Sequence, residues 1–216
     1  MSKRNIKFSN EWFHGAHYIE ERGGHYAFAI YGLLQYIAPY SGRIVTSIDM
    51  IREYFSMSDD SRTYMKHLKN GIKYLYDKEM IEFYSNPHMK EKIDFDVTMI
   101  KGKTPLYIRV INMPKTRLTL IKYTEFERIM DDITLSSNTK MEMLCYFSTI
   151  ISFMNPDKHC CNPSLDTINK VAKVGRISTC IKYNDKLKAM GLIMYTHKRT
   201  KGESIRGNAS NIYTRV

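Results

Sequence analysis

The sequence predicts a mainly α fold with small β-hairpins, an α+β chain built from two similar units in tandem. Three observations carry that reading: a helical period opening each half, a repeated short-helix phrase behind a serine, and β-type alternation further on. A length of 216 residues suits one large domain or two small ones, each able to bury its own core. Hydrophobic residues at 43% and charged ones at 25% are ordinary globular composition, which excludes a disordered tract or a fibrous repeat.

Each half opens on a helix. Tyr26, Ile30, Leu33, Leu34 and Ile37 fall on one face, as do Met143, Leu144, Phe147, Ile150, Ile151 and Met154 later. Thr139 and Glu142 have the spacing of a capping box for the second helix. A short helix follows in each half, where Ser47-Ile-Asp-Met-Ile51-Arg-Glu-Tyr54 matches Ser164-Leu-Asp-Thr-Ile168-Asn-Lys-Val171. Ser47 and Ser164 suit the N-cap, because a serine oxygen accepts from an otherwise orphaned first-turn amide. The aspartate two residues on sits where the helix dipole favours negative charge. Turns follow at Ser56–Asp60 and at Lys173-Val-Gly175, then longer helices from about Ser61 to Lys78 and from about Arg176 to Met190. Leu68, Ile72 and Leu75 are the expected inward residues of the first, Cys180 and Leu187 of the second.

Both longer helices end on a related phrase, Leu75-Tyr-Asp-Lys-Glu-Met80-Ile81 and Leu187-Lys-Ala-Met-Gly-Leu192-Ile193, and a strand is expected at once. Ile93, Phe95, Val97 and Met99 alternate with Asp94, Asp96 and Thr98 as a half-buried strand, and Leu106, Ile108 and Val110 suggest another. In the second half Leu192–Lys198 leads through a Gly-containing loop to Ile212, Thr214 and Val216, closing a hairpin. Helix, short helix, turn, helix and hairpin is the order of a winged helix-turn-helix domain, here found twice. Two tandem domains are therefore expected: residues 1–113 with a leading arm, and residues 114–216, strongly basic. Pro114 and Lys115-Thr-Arg117 break the pattern at the join, and Tyr123–Asp131 is an extra helix opening the second domain. In the arm, Trp12 and Phe13 are expected to pack rather than to bind a base.

Several function classes drop out. The longest uncharged stretch, Gly23 to Gly42, is interrupted by His25, Gln35 and Pro39, so its apolar centre is too short for a bilayer. No apolar signal core follows Met1-Ser-Lys-Arg-Asn5, which leaves a cytoplasmic protein with no membrane partner as the expectation. Cys145, Cys160, Cys161 and Cys180 lack the paired spacing of disulfide scaffolds and zinc ribbons. His14-Gly-Ala-His17 has no second ligand pair nearby, and the adjacent His159-Cys160-Cys161 cannot all turn to one tetrahedral ion. Asp94 and Asp96 share one strand face and fit a solvent-facing hairpin better than metal chemistry. No glycine-rich loop has phosphate-binding spacing, and sixteen tyrosines come without the histidine cluster a nicking enzyme uses. No metal, no other cofactor and no catalytic residue is expected.

Charge gives the positive clue. Residues 1–100 carry thirteen Lys/Arg against thirteen Asp/Glu, residues 101–150 eight against five, and residues 151–216 twelve against four. A neutral half joined to a basic one points to an anionic partner on one region, and double-stranded DNA is the expected one. On the second long helix, Arg176, Ser178, Thr179, Lys182 and Lys186 lie off the apolar face. Arg176 has the fork to pair with guanine, Ser178 and Thr179 can meet bases or phosphate, and the lysines suit phosphate. Lys198, Arg199, Lys201 and Arg206 surround the glycine-containing loop, opposed only by Glu203, as a finger over the sugar-phosphate backbone. In the first half Arg62, Lys66, Lys69, Asn70 and Lys73 are the corresponding candidates, with a hairpin of no basic excess behind them. That half either binds DNA through its helix alone or pairs with another copy.

Taken with the phrases Ala29-Ile-Tyr-Gly-Leu-Leu34, Ser47-Ile-Asp-Met-Ile51 and Leu187-Lys-Ala-Met-Gly-Leu-Ile193, the tandem order resembles replication initiators of plasmids and phages. It is also similar to the winged-helix N-terminal domain of DnaD-type primosomal proteins. The resemblance spans about residues 25 to 216 and implies sequence-specific binding of an origin, as a homodimer. No C-terminal segment of DnaD type is recognisable, so helicase loading is not implied. A repressor would use the same surface on an operator. From another class, an interaction module would use the first unit for assembly, with DNA secondary.

Overall fold

A computed structural model describes residues 5–14, 24–38, 41–58, 62–96, 100–111, 117–198 and 210–216. They form an α+β protein with seven α-helices and three small antiparallel sheets among the described residues. The first half holds β1 (Asn5–Ser9), α1 (Gly24–Ile37), β2 (Arg43–Thr46), α2 (Ile48–Tyr54), α3 (Arg62–Asp77), β3 (Ile81–Tyr84), β4 (Lys92–Ile93) and β5 (Leu106–Val110). The second holds β6 (Leu118–Lys122), α4 (Tyr123–Met130), α5 (Ser137–Phe153), β7 (Cys160–Cys161), α6 (Leu165–Ala172), α7 (Ile177–Ala189), β8 (Ile193–Lys198) and β9 (Ser210–Arg215).

The two halves share one topology. Their sheets run β2-β5-β3-β4 and β7-β9-β8. In each, the short strand before the helix pair lies beside the last strand, which also pairs with the strand leaving the longer helix. The strands β2 and β7, of four and two residues, were not foreseen. They are too short for alternation to register.

Local chemistry explains most boundaries. Ser47 Oγ accepts from the Met50 amide at 3.1 Å and Ser164 Oγ from the Thr167 amide at 3.0 Å, so both expected N-caps form. The expected capping box at Thr139 and Glu142 does not. The helix α5 starts earlier, with Ser136 Oγ accepting from the Thr139 amide at 3.3 Å, and Glu142 instead accepts from the Tyr183 hydroxyl at 2.8 Å. An expected strand along 93–99 also fails. Among its described residues only Ile93 is paired, opposite Phe83 of β3, because Phe95 turns to stack on Phe83 at 4.0 Å; Val97, Thr98 and Met99 lie outside the described residues. Between α6 and α7, Lys173 has φ +53° and Gly175 φ +96°, a backbone that a side chain at 175 would strain. The Asn169 amide donates to the Gly175 carbonyl at 2.8 Å and holds this turn.

Helix α1 is the centre of the molecule. It packs against α3 on one side and α5 on the other, so the equivalent first long helices of the two halves touch. Ile30, Leu33 and Leu34 are buried as the periodicity predicts, whereas Ile37, at the helix end, is 42% exposed. A Cβ at Gly71 would come within 3.1 Å of the Ala27 amide nitrogen, and one at Gly32 within 3.3 Å of the rings of Phe8 and Phe126. The N-terminal arm closes the other end. Phe8 stacks on Phe28 at 4.0 Å, and Trp12 meets Phe28 edge-on at 5.2 Å, so Trp12 and Phe13 pack as expected. Full burial of one such ring contributes about 1.5–3 kcal/mol.

The strand β1 pairs with β6, from Asn5↔Lys122 to Ser9↔Leu118. On the other edge of β1 the Gln35 side chain imitates a strand, accepting from the Lys7 amide at 3.0 Å and donating to its carbonyl at 2.9 Å. A buried ion pair fastens the last strand: the Arg215 guanidinium donates to both oxygens of Glu125 and to the Leu120 carbonyl at 3.0 Å. No helix among the described residues is long and apolar enough to cross a membrane.

Candidate nucleic-acid interface

Helix α3 turns Leu68, Ile72 and Leu75 wholly inward. Arg62, Lys66, Lys69 and Lys73 follow one another at spacings of four, three and four, so they share one stripe on the opposite side. Arg62, Lys66 and Lys73 are exposed, whereas Lys69 within the stripe and Asn70 beside it are half-buried. Among the described residues, the ion pair on this stripe is that of Lys73 with Asp77 at 2.9 Å, near the C-terminal end. The rotation of α3 is set from its flank, where His67 stacks on Tyr26 at 4.9 Å and the Tyr26 hydroxyl donates to Asn138 of α5.

On α7 the expected set divides. Cys180, Tyr183, Asn184 and Leu187 face the core. Asn184 accepts from the Tyr146 hydroxyl at 2.9 Å and donates to the Tyr213 oxygen at 3.0 Å, a buried network that fixes the helix rotation. Ser178 and Lys182 then point outward, with Arg176 exposed at the start, while Thr179 is half-buried. Lys186 turns aside. Its ammonium lies 2.7 Å from Asp132 and donates to the Thr134 hydroxyl at 2.9 Å, in the link between α4 and α5. The Lys186 hydrogen bond, then those from Thr134, hold the Asp132 carboxyl down at about 2. Lys186 is thus an anchor of α7 in this structure.

Two features of α7 escaped the sequence reading. Ile177 and Ile181, one turn apart, are 38% and 41% exposed beside Ser178 and Lys182. Their position off the Cys180–Leu187 face was the available signal. In addition, α7 has no side-chain cap, unlike α2 and α6. Its first-turn amides and Arg176 therefore stand together at a helix N-terminus, where anions are favoured. The other end is closed by Arg128, whose guanidinium donates to the carbonyls of Met190 and Gly191.

Lys198 ends β8, paired with Ser210 of β9. Arg199, Lys201 and Arg206 lie outside the described residues. Of the sites set aside, His14 hydrogen-bonds Ser152 at 3.1 Å and packs edge-on to Phe153. Among the described residues no group of three or more His, Cys, Asp or Glu could hold a metal ion. Compared with known proteins, the chain matches no family model and no curated protein.

Proposed function

We propose that the chain binds double-stranded DNA through two winged helix-turn-helix units, α2–α3 and α6–α7, with α3 and α7 as the helices offered to the duplex. The observation that carries this is the stripe of Arg62, Lys66, Lys69 and Lys73 along α3. Like charges one turn apart on a helix repel by a few tenths of a kcal/mol per pair. A row of phosphates removes that cost and adds counterion release. The topologically equivalent α7 presents Arg176, Ser178 and Lys182 at its N-terminal half, the part of a recognition helix that meets base edges. Within this reading the chain is a replication initiator that recognises an origin as a homodimer. A repressor on an operator would use the same residues.

The test is binding of the full chain to a labelled duplex across a salt series. Tight, salt-dependent association is expected, and Lys66→Glu with Lys69→Glu should weaken it strongly. Absence of salt-dependent duplex binding overturns the proposal in favour of an assembly module. Footprinting of DNA beside the gene then separates the two roles: iterated repeats for an initiator, one promoter palindrome for a repressor.

A further inference from the structure

We infer that the outer face of the first sheet is a second nucleic-acid site, one that takes a single strand rather than a duplex. The sheet turns Ile44, Phe83 and Ile108 into the core and leaves two rows on its other side. One row, in register across β2, β5 and β3, is Arg43, Arg109 and Glu82. The next, two residues along the strands, is Val45, Tyr107, Tyr84 and, on β4, Lys92.

The first row is electrostatically costly as it stands. Arg43 and Arg109 are exposed and directly opposite each other, an arrangement that destabilises a strand pair. Glu82, cross-strand from Arg109, offsets part of this through space but makes no direct contact: its carboxylate takes the Lys92 ammonium at 3.1 Å and the Tyr84 hydroxyl at 2.8 Å. Among the described residues no carboxylate lies within 4 Å of either guanidinium. Two guanidiniums side by side suit phosphate oxygens, which accept their paired N–H groups.

The second row identifies what carries the phosphate. Val45 is 55% exposed, and the half-buried Tyr107 stands beside it, about 7 Å along the strands from the arginines. That places an apolar and aromatic floor within a nucleotide's length of the cations, so a base can lie on Tyr107 while its phosphate meets Arg43 and Arg109. A duplex keeps its base faces stacked inside and gains nothing from the ring. An acidic peptide would use the arginines and leave the ring idle. The side chains lie on the sheet face turned away from the core and are none of the α3 and α7 residues assigned to duplex DNA.

The experiment measures binding of the full chain to an oligothymidylate of about 15 nucleotides, to the same strand made abasic, and to a duplex. Arg43→Ala with Arg109→Ala should lower the salt slope for oligothymidylate by about 1.4, the value for two phosphates on a single strand. Tyr107→Ala should weaken it about 5- to 100-fold, and Tyr107→Phe should restore it. The abasic strand should bind less well than oligothymidylate, and duplex affinity should stay unchanged in all three variants. The inference is overturned if oligothymidylate does not bind, if the abasic strand binds equally, or if Arg43→Ala with Arg109→Ala and Tyr107→Ala bind it as the parent does. It is also overturned if they lose duplex and single strand alike. Loss of duplex binding alone in the parent would reject the duplex proposal and leave this face standing.

Discussion

Asp132 and Lys186 show how one residue pair removes a cation from a candidate surface and gives the fold a pH dependence. The carboxyl is held at about 2 against an ordinary 3.8. An acid depressed by folding contributes stability above its unfolded value and loses it as pH falls through the folded one. Lys186→Ala should therefore cost up to about 1 kcal/mol at pH 5, since both partners are partly solvated. That penalty should fade between about pH 3.8 and about 2. Denaturant midpoints of parent and variant over that range check it, and a penalty independent of pH would contradict the ion pair. Arg176 and Lys66 make a second residue-scale contrast. Replacing Arg176 with Ala should relax preference at one base pair, by about 1–3 kcal/mol of discrimination. Replacing Lys66 with Ala should weaken all duplexes alike and lower the salt slope by about one. Competition between selected and scrambled duplexes separates them.

At the scale of elements, α7 carries an exposed Ile177–Ile181 pair where a recognition helix would meet base edges. The apolar feature of the major groove is the thymine methyl group. Duplexes selected for tight binding should thus weaken when thymine is replaced by uracil, and Ile177→Ser with Ile181→Ser should abolish that difference. Equal binding of thymine and uracil duplexes by the parent would remove the pair from the base-reading surface. The contact between α1 and α3 yields another expectation. Gly71 lets the helices approach until a Cβ would meet backbone, so Gly71→Ala should destabilise by about 1–3 kcal/mol despite the better helix propensity of alanine. Thermal melting of the variant checks the sign.

For the whole molecule, the joining of the halves decides which experiments are meaningful. Helix α1 touches α5, β1 pairs with β6, and the Tyr36 hydroxyl donates to Glu127 of α4 at 2.6 Å. A fragment holding only the second half would expose the α5 face that α1 covers, so charge substitutions in the full chain are the sounder test of the proposed DNA binding. The Arg215–Glu125 pair closes the second half on itself, its side chains only 16% and 5% exposed. Removing Arg215 leaves the buried Glu125 with the Lys122 backbone amide at 2.7 Å and the Lys122 ammonium at 3.8 Å, so Arg215→Leu should cost about 1–3 kcal/mol. Adding Glu125→Leu should recover part of that loss, measured as coupling in denaturant unfolding.

What the sequence by itself determined was local. Serine caps at Ser47 and Ser164, the inward rows Leu68–Ile72–Leu75 and Cys180–Leu187, and the β8–β9 hairpin rest on contacts within a few residues or on a periodicity. The candidate cations of α3 were legible for the same reason, since helical spacing places Arg62, Lys66, Lys69 and Lys73 in one line. Only the tertiary structure decided what depends on partners far along the chain. It tied Lys186 to Asp132 across 54 positions, brought β1 to β6 and set Arg43 opposite Arg109. It also turned Phe95 out of an alternating strand onto Phe83. A spacing rule reports which face of its own element a residue occupies. Which side chain meets that face is set by packing and register between elements distant in sequence, and those are properties of the assembled core.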